Sequence, residues 1–342
     1  MVDTPRPKYP YRTADEPAPS SKGRSSRVLG ALARLSQARG AHDDSESLSA
    51  RARVARDSEG SRTLRRCIEG HAAIARDALA EAEEHYQSFL LAAGGPYTVL
   101  VADHLEVLGA YAAVSLAQTR ASRGEEALRN AVVFARRNGD PCLHPDSPMA
   151  AAILLSATFR RLGEPEVAAR ILGATSGVDV RPLLVGAFEH AWAETSLALG
   201  ELDAASGWAR AASAVRYAAL GPASPVHAAT RALLGRVSLA QGQLEDAAHE
   251  LRGALSDLQS LGQHDVLIEA EVEVAYATLL LLRHRSDDAN AAARRAHELV
   301  TRAARGSYAA TLPVLHALAR LLPTAASAIA REVETIEATY RP

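Results

Sequence analysis

The sequence predicts an all-α protein made of stacked antiparallel helix hairpins, and three observations carry that prediction. Pairs of small-residue helices recur along the chain, most clearly from Ala229 to Ser260, where a helix, a Gly-containing turn and an Ala-rich helix follow in order. The turns between paired helices, marked by Ser122, Gly163, Gly200, Gly242 and His284, recur at intervals of 41, 37, 42 and 42 residues. Helix breakers fall between the predicted helices, at Gly94-Gly95-Pro96, Asn138-Gly139-Asp140-Pro141, Gly221-Pro222 and Pro323. A period of roughly 20 to 50 residues signals a repeat array, because each unit buries its apolar face only against the next.

The elements are predicted in order as follows. Residues 1–26 are rich in proline and serine and poor in large apolar side chains, so they form a disordered N-terminal tail. Residues 27–60 form a helical cap: Val28, Leu29, Leu32 and Leu35 make an apolar stripe that Gly40 ends, and a weak second helix follows. The array proper occupies 61–342. Its hairpins pair 61–76 with 78–93, 97–119 with 124–138, 147–162 with 164–173, and 182–199 with 202–219. Three more pair 225–241 with 244–261, 265–284 with 286–304, and 308–321 with 324–339. Strands are not predicted, because the β-branched runs Tyr97 to Val101 and Val178 to Val180 lack alternating partners.

Within the clearest hairpin, Gly235 removes a side chain where the neighbouring helix must come close. Ala247, Leu251 and Ala254 share one face of that neighbour at i, i+4 and i+7.

Composition narrows the functional classes. Hydrophobic residues at 48%, charged residues at 23% and a mean hydropathy of -0.07 describe a soluble globular chain, and only 4% aromatics leaves alanine, leucine and valine to build its contacts. A net charge of -2 gives no overall drive toward nucleic acid or an anionic membrane. No apolar stretch is long enough to span a bilayer, and none near the start resembles a secretory signal, so a cytoplasmic protein is expected. The two cysteines, Cys67 and Cys142, cannot make a disulfide framework. The only lysines are Lys8 and Lys22, in the tail, which excludes a Walker P-loop or a Schiff-base amine from the folded body. Arginine and alanine bias also suggests a GC-rich bacterial genome.

The residues Leu234, Gly235, Gly242, Ala247 and Ala254 match the Leu-Gly, loop-Gly and spaced-Ala pattern of the tetratricopeptide repeat, which the chain resembles over roughly 60–340. Elsewhere the pattern is degenerate: Ser156 and Ala193 replace the first-helix Gly, and His284 replaces the loop Gly. The resemblance implies a right-handed superhelix, a tetratricopeptide-like α-solenoid. The long period looks like the sensor arrays of large bacterial LuxR-type and antibiotic-regulatory proteins. Their ATPase motif and basic helix-turn-helix have no counterpart here, so ATP hydrolysis and direct DNA binding are not carried over.

In such an array the first helix of each pair lines the concave face. Carrying the family's groove positions over from each turn marker selects Arg120, Arg160, Arg161, His190, Glu194, Arg236 and Glu271. Four arginines and a histidine on adjacent repeats would grip a carboxylate, an acidic segment or a phosphate through charge-assisted bonds. The competing reading treats them as ordinary solvated charges, and the i, i+4 pair His190 and Glu194 as a helix-stabilising contact.

Other chemistry finds less support. Cys142, His144 and Asp146 share a loop stiffened by Pro141 and Pro145 and lack a fourth ligand, so no metal is expected. The stretch Gly173 to Gly177 has the outline of a nucleophile elbow, but Thr175 stands at the elbow and no strand precedes it. Trp192 and Trp208 read first as packing residues of one hairpin.

The expected protein is therefore a non-enzymatic scaffold that binds a protein or peptide, with acidic groups suiting the arginines, as a regulatory or adaptor module without a cofactor. A stand-alone small-molecule or peptide sensor is the first alternative and an enzyme on a helical-repeat scaffold the second; no residue set forms a recognised catalytic motif. A homodimer through the terminal helix, Ala325 to Tyr340, is also expected, because an end unit has no neighbour to cover it.

Overall fold

The computed structural model describes residues 66–67, 69–70, 73, 78–93, 101–118, 121–138, 143, 149–173, 182–222, 224–261, 266–303 and 309–341. The tail 1–26, the cap 27–60, Arg120, Cys142, His144, Asp146 and the loop 174–177 lie outside the described residues. Among the described residues there are thirteen α-helices, one 3-10 turn and no strand. In chain order they are α1 Leu79–Ala93, α2 Val101–Ala117, α3 Ala121–Asn138, α4 Met149–Arg161, α5 Pro165–Gly173, α6 Pro182–Ala198 and α7 Leu202–Leu220. There follow α8 Pro225–Ala240, α9 Leu244–Ser260, α10 Val266–Leu282, α11 Ser286–Ala303, α12 Leu312–Leu321 and α13 Ala326–Ala338. The described residues form an all-α array of helix hairpins.

Four hairpin turns share one backbone solution. Gly163, Gly200, Gly242 and His284 take φ of 82°, 79°, 75° and 58°. Each donates its N–H three residues back, to the carbonyls of Arg160, Leu197, Leu239 and Leu281. The following residue in each case, Glu164, Glu201, Gln243 or Arg285, donates five residues back, to Phe159, Ser196, Ser238 or Leu280. This is the Schellman arrangement, which satisfies the last carbonyls of a helix through a left-handed residue. Ser122 departs from the series: α3 begins at Ala121, so Ser122 lies inside the helix and not at the turn. A short hydroxyl side chain there looks like a loop residue in the sequence, but it lies in the first turn of the second helix.

The chain divides into two compact units. One contains the described residues up to Ser156 together with those of Val167–Leu184. Its core joins Tyr86 and Phe89 of α1 to Val107, Ala110 and Val114 of α2. Gly109 on α2 allows close approach there, since a Cβ would lie 2.9 Å from Leu155 Cδ1. Glu83, almost fully buried, accepts from Arg123 at 3.0 Å and from Gln118 at 3.3 Å.

The second unit contains Ala157–Glu166 and Val185–Arg341. Here α8 pairs with α9, α10 with α11 and α12 with α13, and the first helices α8, α10 and α12 also pack side by side. Ala247, Leu251, Ala254 and Leu258 are fully buried on one face of α9, and Val272, Ala275 and Leu279 of α10 complete that core. Gly235 sits where the axes come together, because a Cβ would lie 2.7 Å from Leu251 Cγ. Gly253 performs the same service for a charged group: it leaves room for the Arg231 guanidinium to cross α9 and reach Glu250 at 3.0 Å and Asp257 at 2.8 Å. Arg283, next to the turn residue His284, donates to the Leu244 carbonyl at 2.8 Å and so ties that turn to the start of α9. The last helix, α13, buries Ile329, Val333 and Ile336 and exposes Arg331, Glu332, Glu334 and Thr335, and Tyr340 just after it is buried as well. Its apolar stripe is thus used within the unit, and its outward face is polar.

Candidate functional site

The row of first helices in the second unit lines an open cleft of about 810 Å³. The C-terminus of α4 supplies Arg160 and Arg161, α6 supplies Glu194, α8 supplies Arg236, and α10 supplies Glu271. At the far end α12 supplies His316 and Arg320, and α13 supplies Glu337. Leu197, Leu239, Val274, Leu282 and Val314 give the cleft an apolar floor between these charges. Such positions recur one per hairpin because each first helix presents the same face after each turn of the array.

Of the positions selected from sequence, Arg160, Arg161, Glu194, Arg236 and Glu271 meet in this cleft. His190 does not line it; one helical turn before Glu194, it sits behind the acid and toward the interior. Arg120 lies outside the described residues. Sequence reasoning missed Arg320, His316 and Glu337, which belong to the last hairpin, where the turn near Pro323 lies beyond the series of turn markers that ends at His284. It also missed Arg216, which belongs to a second helix, α7, where the repeat pattern places no groove residue.

Glu194 is the hub of the charges. Its Oε2 pairs with Arg160 Nη2 in a short contact, and its Oε1 accepts from Arg236 Nη1 at 3.4 Å. Burial pushes the Glu194 carboxyl up, but Arg160, His190, Arg236 and Arg161 outweigh it and hold the group well below the usual carboxylate range. The Arg160 side chain is only 9% exposed, its pKa is lowered by burial, and its Nη1 is buried without an acceptor. Arg161 and Arg320 have no ion-pair partner among the described residues. Glu271 is pushed up by burial and by Glu194, with Arg236, Arg161 and Arg160 pulling the other way.

Behind the hub, Arg216 Nη1 donates to His190 Nδ1 at 3.0 Å, to the Val226 carbonyl at 3.1 Å and to Thr230 Oγ1 at 2.6 Å. Because Nδ1 accepts, the neutral ring carries its proton on Nε2, which faces Glu194 Oε2 at 3.8 Å. Burial, reinforced by Arg216, Arg160 and Arg236 and opposed by Glu194, lowers His190 from 6.5 to about 3. Burial also lowers Arg216 to about 10, against Glu194 and Glu189. His190 is therefore a neutral hydrogen-bonding link between Arg216 and the cleft.

Trp192 and Trp208 stack with ring centroids 6.0 Å apart and planes 16° apart, and neither lines the cleft. Trp208 packs on the core of Ala193, Ala205, Ala209, Leu233 and Val237. No group of three or more His, Cys, Asp or Glu side chains among the described residues is arranged to hold a metal ion. No described helix is long and apolar enough to cross a membrane.

No family model and no curated protein matches this sequence. Several solved structures align with it at low identity. BtubC from P. vanneervenii is 13% identical, with 84% of this chain and 94% of that one covered, at a TM-score of 0.35. A tetratricopeptide repeat protein from Parabacteroides merdae is 12% identical over 81% and 94%, at 0.38. A Rap protein complexed with competence and sporulation factor is 11% identical over 95% and 89%, at 0.39.

Proposed function

We propose that this protein is a non-enzymatic, tetratricopeptide-like scaffold that binds an acidic segment of a protein or peptide in the first-helix cleft, acting as a regulatory or adaptor module. The observation that carries this reading is the set of four arginines, Arg160, Arg161, Arg236 and Arg320, that three first helices bring to one cleft. They face three carboxylates, of which Glu194 is already committed to two of them. The remaining positive capacity suits a partner's carboxylates, and the leucines and valines between the arginines suit its apolar side chains. A bond from a guanidinium to a charged acceptor is worth about 1.5–3 kcal/mol. Replacing Arg161 or Arg236 by alanine should then weaken an acidic peptide roughly tenfold or more, and added salt should weaken it further. Crosslinking in cells that recovers no partner, together with arginine variants that leave function intact, would sink the reading.

The cleft volume favours one second reading. At about 810 Å³ it falls within the range of small-molecule sites, so the unit would serve as a ligand sensor. A thermal-shift screen separates the two, because a small molecule bound to the folded chain alone raises its melting temperature.

A further inference from the structure

The charges of the cleft are arranged as though one ligand group were already in place. Glu194 divides its two carboxylate oxygens between guanidiniums from two other first helices, Arg160 of α4 and Arg236 of α8. That is the bridging geometry a free carboxylate would adopt between them. Arg160, nine-tenths buried, still keeps Nη1 buried and without an acceptor. On its other side Glu194 faces the Nε2–H of His190 at 3.8 Å, beyond hydrogen-bond distance, and His190 is in turn held by Arg216. Glu194 thus has a second donor within a small side-chain rotation. Arg216 has its own buried Nε without an acceptor, so the interior is short of acceptors on that side as well.

We propose that Glu194 is a built-in competitor: in the ligand-free protein it occupies the carboxylate subsite between Arg160 and Arg236, and an incoming carboxylate displaces it toward His190. This rests on the reading of the cleft as the site of an acidic partner. The displaced Glu194 closes its gap to His190, while the ligand takes over both arginines and supplies an acceptor to Arg160 Nη1. Affinity is then lower than four arginines would give, because each binding event first breaks the internal pairs. The exchange also reaches through His190 to Arg216 on α7, so occupancy of the cleft is felt on a second helix. Carboxylate is the favoured ligand chemistry because the group now in the subsite is one.

The test measures binding of glutarate, an N-acetylated tetraglutamate peptide and inorganic phosphate to the full chain by calorimetry, in wild type, Glu194→Gln and Glu271→Gln. Both substitutions replace a carboxyl of the same cleft by its uncharged isostere, but Glu271 makes no ion pair to either arginine. Built-in competition predicts that Glu194→Gln tightens both carboxylate probes roughly tenfold or more, that Glu271→Gln tightens them no more than about threefold, and that phosphate gains less than glutarate. Equal tightening by the two variants, or weakening by Glu194→Gln, overturns the proposal while leaving the cleft an acid-binding site. A gain by phosphate as large as that of glutarate overturns the assignment to carboxylate. Absence of binding by wild type and all variants removes both the proposal and the reading beneath it. Should Glu194→Gln unfold alone, recovery of its helical signal by excess glutarate is the expected result. Failure to recover, with a Glu194→Ala variant that folds and binds no tighter than wild type, overturns the proposal.

Discussion

At the scale of single residues, the turns separate conformational need from residue identity. Gly163, Gly200 and Gly242 occupy the left-handed position that ends a helix in a Schellman turn, where a side chain costs roughly 1 kcal/mol. His284 occupies the same position with a φ of 58° and so carries that cost. Two substitutions should move stability in opposite directions: His284→Gly should raise it by about 0.5–1 kcal/mol, and Gly242→Ala should lower it by about 1 kcal/mol. Urea unfolding of the two variants measures both shifts, and a His284→Gly variant less stable than wild type would show that the His284 side chain contributes more than its backbone costs. These turns were legible in the sequence because glycine followed by a polar residue and an Ala-rich run is a local signal. Ser122 misled because serine is equally at home in a turn and in the first turn of a helix, and no φ value is written in a sequence.

At the scale of helices, the same substitution carries opposite signs according to what faces it. A methyl group at Gly235 would lie 2.7 Å from Leu251 Cγ and 2.9 Å from its Cδ2, with the Ala247 carbonyl at 3.4 Å. At Gly207, in α7, nothing lies within 4 Å. Alanine gains about 1 kcal/mol of helix propensity over glycine at either site. At Gly235 that gain is set against an overpacking cost of about 1–3 kcal/mol, since Leu251 is fully buried and cannot retreat into solvent. Gly207→Ala should therefore stabilise and Gly235→Ala should destabilise, and Leu251→Ala should cost less in the Gly235→Ala background than alone. A double-mutant cycle reads that coupling directly. The sequence showed why Gly235 is there, because Ala247, Leu251 and Ala254 fall at helical spacing opposite it. It did not show the part played by Gly253, since nothing local announces that Arg231 crosses α9 at that point to reach Asp257.

At the scale of the whole molecule, the cleft was legible only as far as the repeat carried. The groove positions of four successive first helices located Arg160, Arg161, Glu194, Arg236 and Glu271, because periodicity alone brings them to one face. Arg216 was invisible, because its role depends on a second helix turning a guanidinium inward onto Thr230 and His190, a tertiary fact with no spacing of its own. That inward cluster sets how stability answers to pH. His190 titrates near 3 in the folded chain and near 6.5 when unfolded, so the unfolded state takes up a proton that the folded state refuses. Its contribution is complete above pH 6.5 and is lost as pH falls toward 3, at up to about 1.4 kcal/mol per pH unit. Glu194, held low, adds a loss of the same sign below pH 4.5. Glu271, held high, acts oppositely and recovers stability as pH falls through its folded value toward 4.5. His104, lowered by burial where it stacks on Phe134 at 4.2 Å, adds a smaller loss in the other unit. The two tryptophans, Trp192 and Trp208, stack within the unit that holds His190, so tryptophan fluorescence isolates it. Urea midpoints followed by that signal should fall from pH 7 to pH 5 in wild type, and His190→Gln should remove most of the fall by leaving nothing there to protonate. Parallel curves for the two proteins would mean that His190 takes up its proton in the folded state, and the neutral link between Arg216 and Glu194 would have to be abandoned.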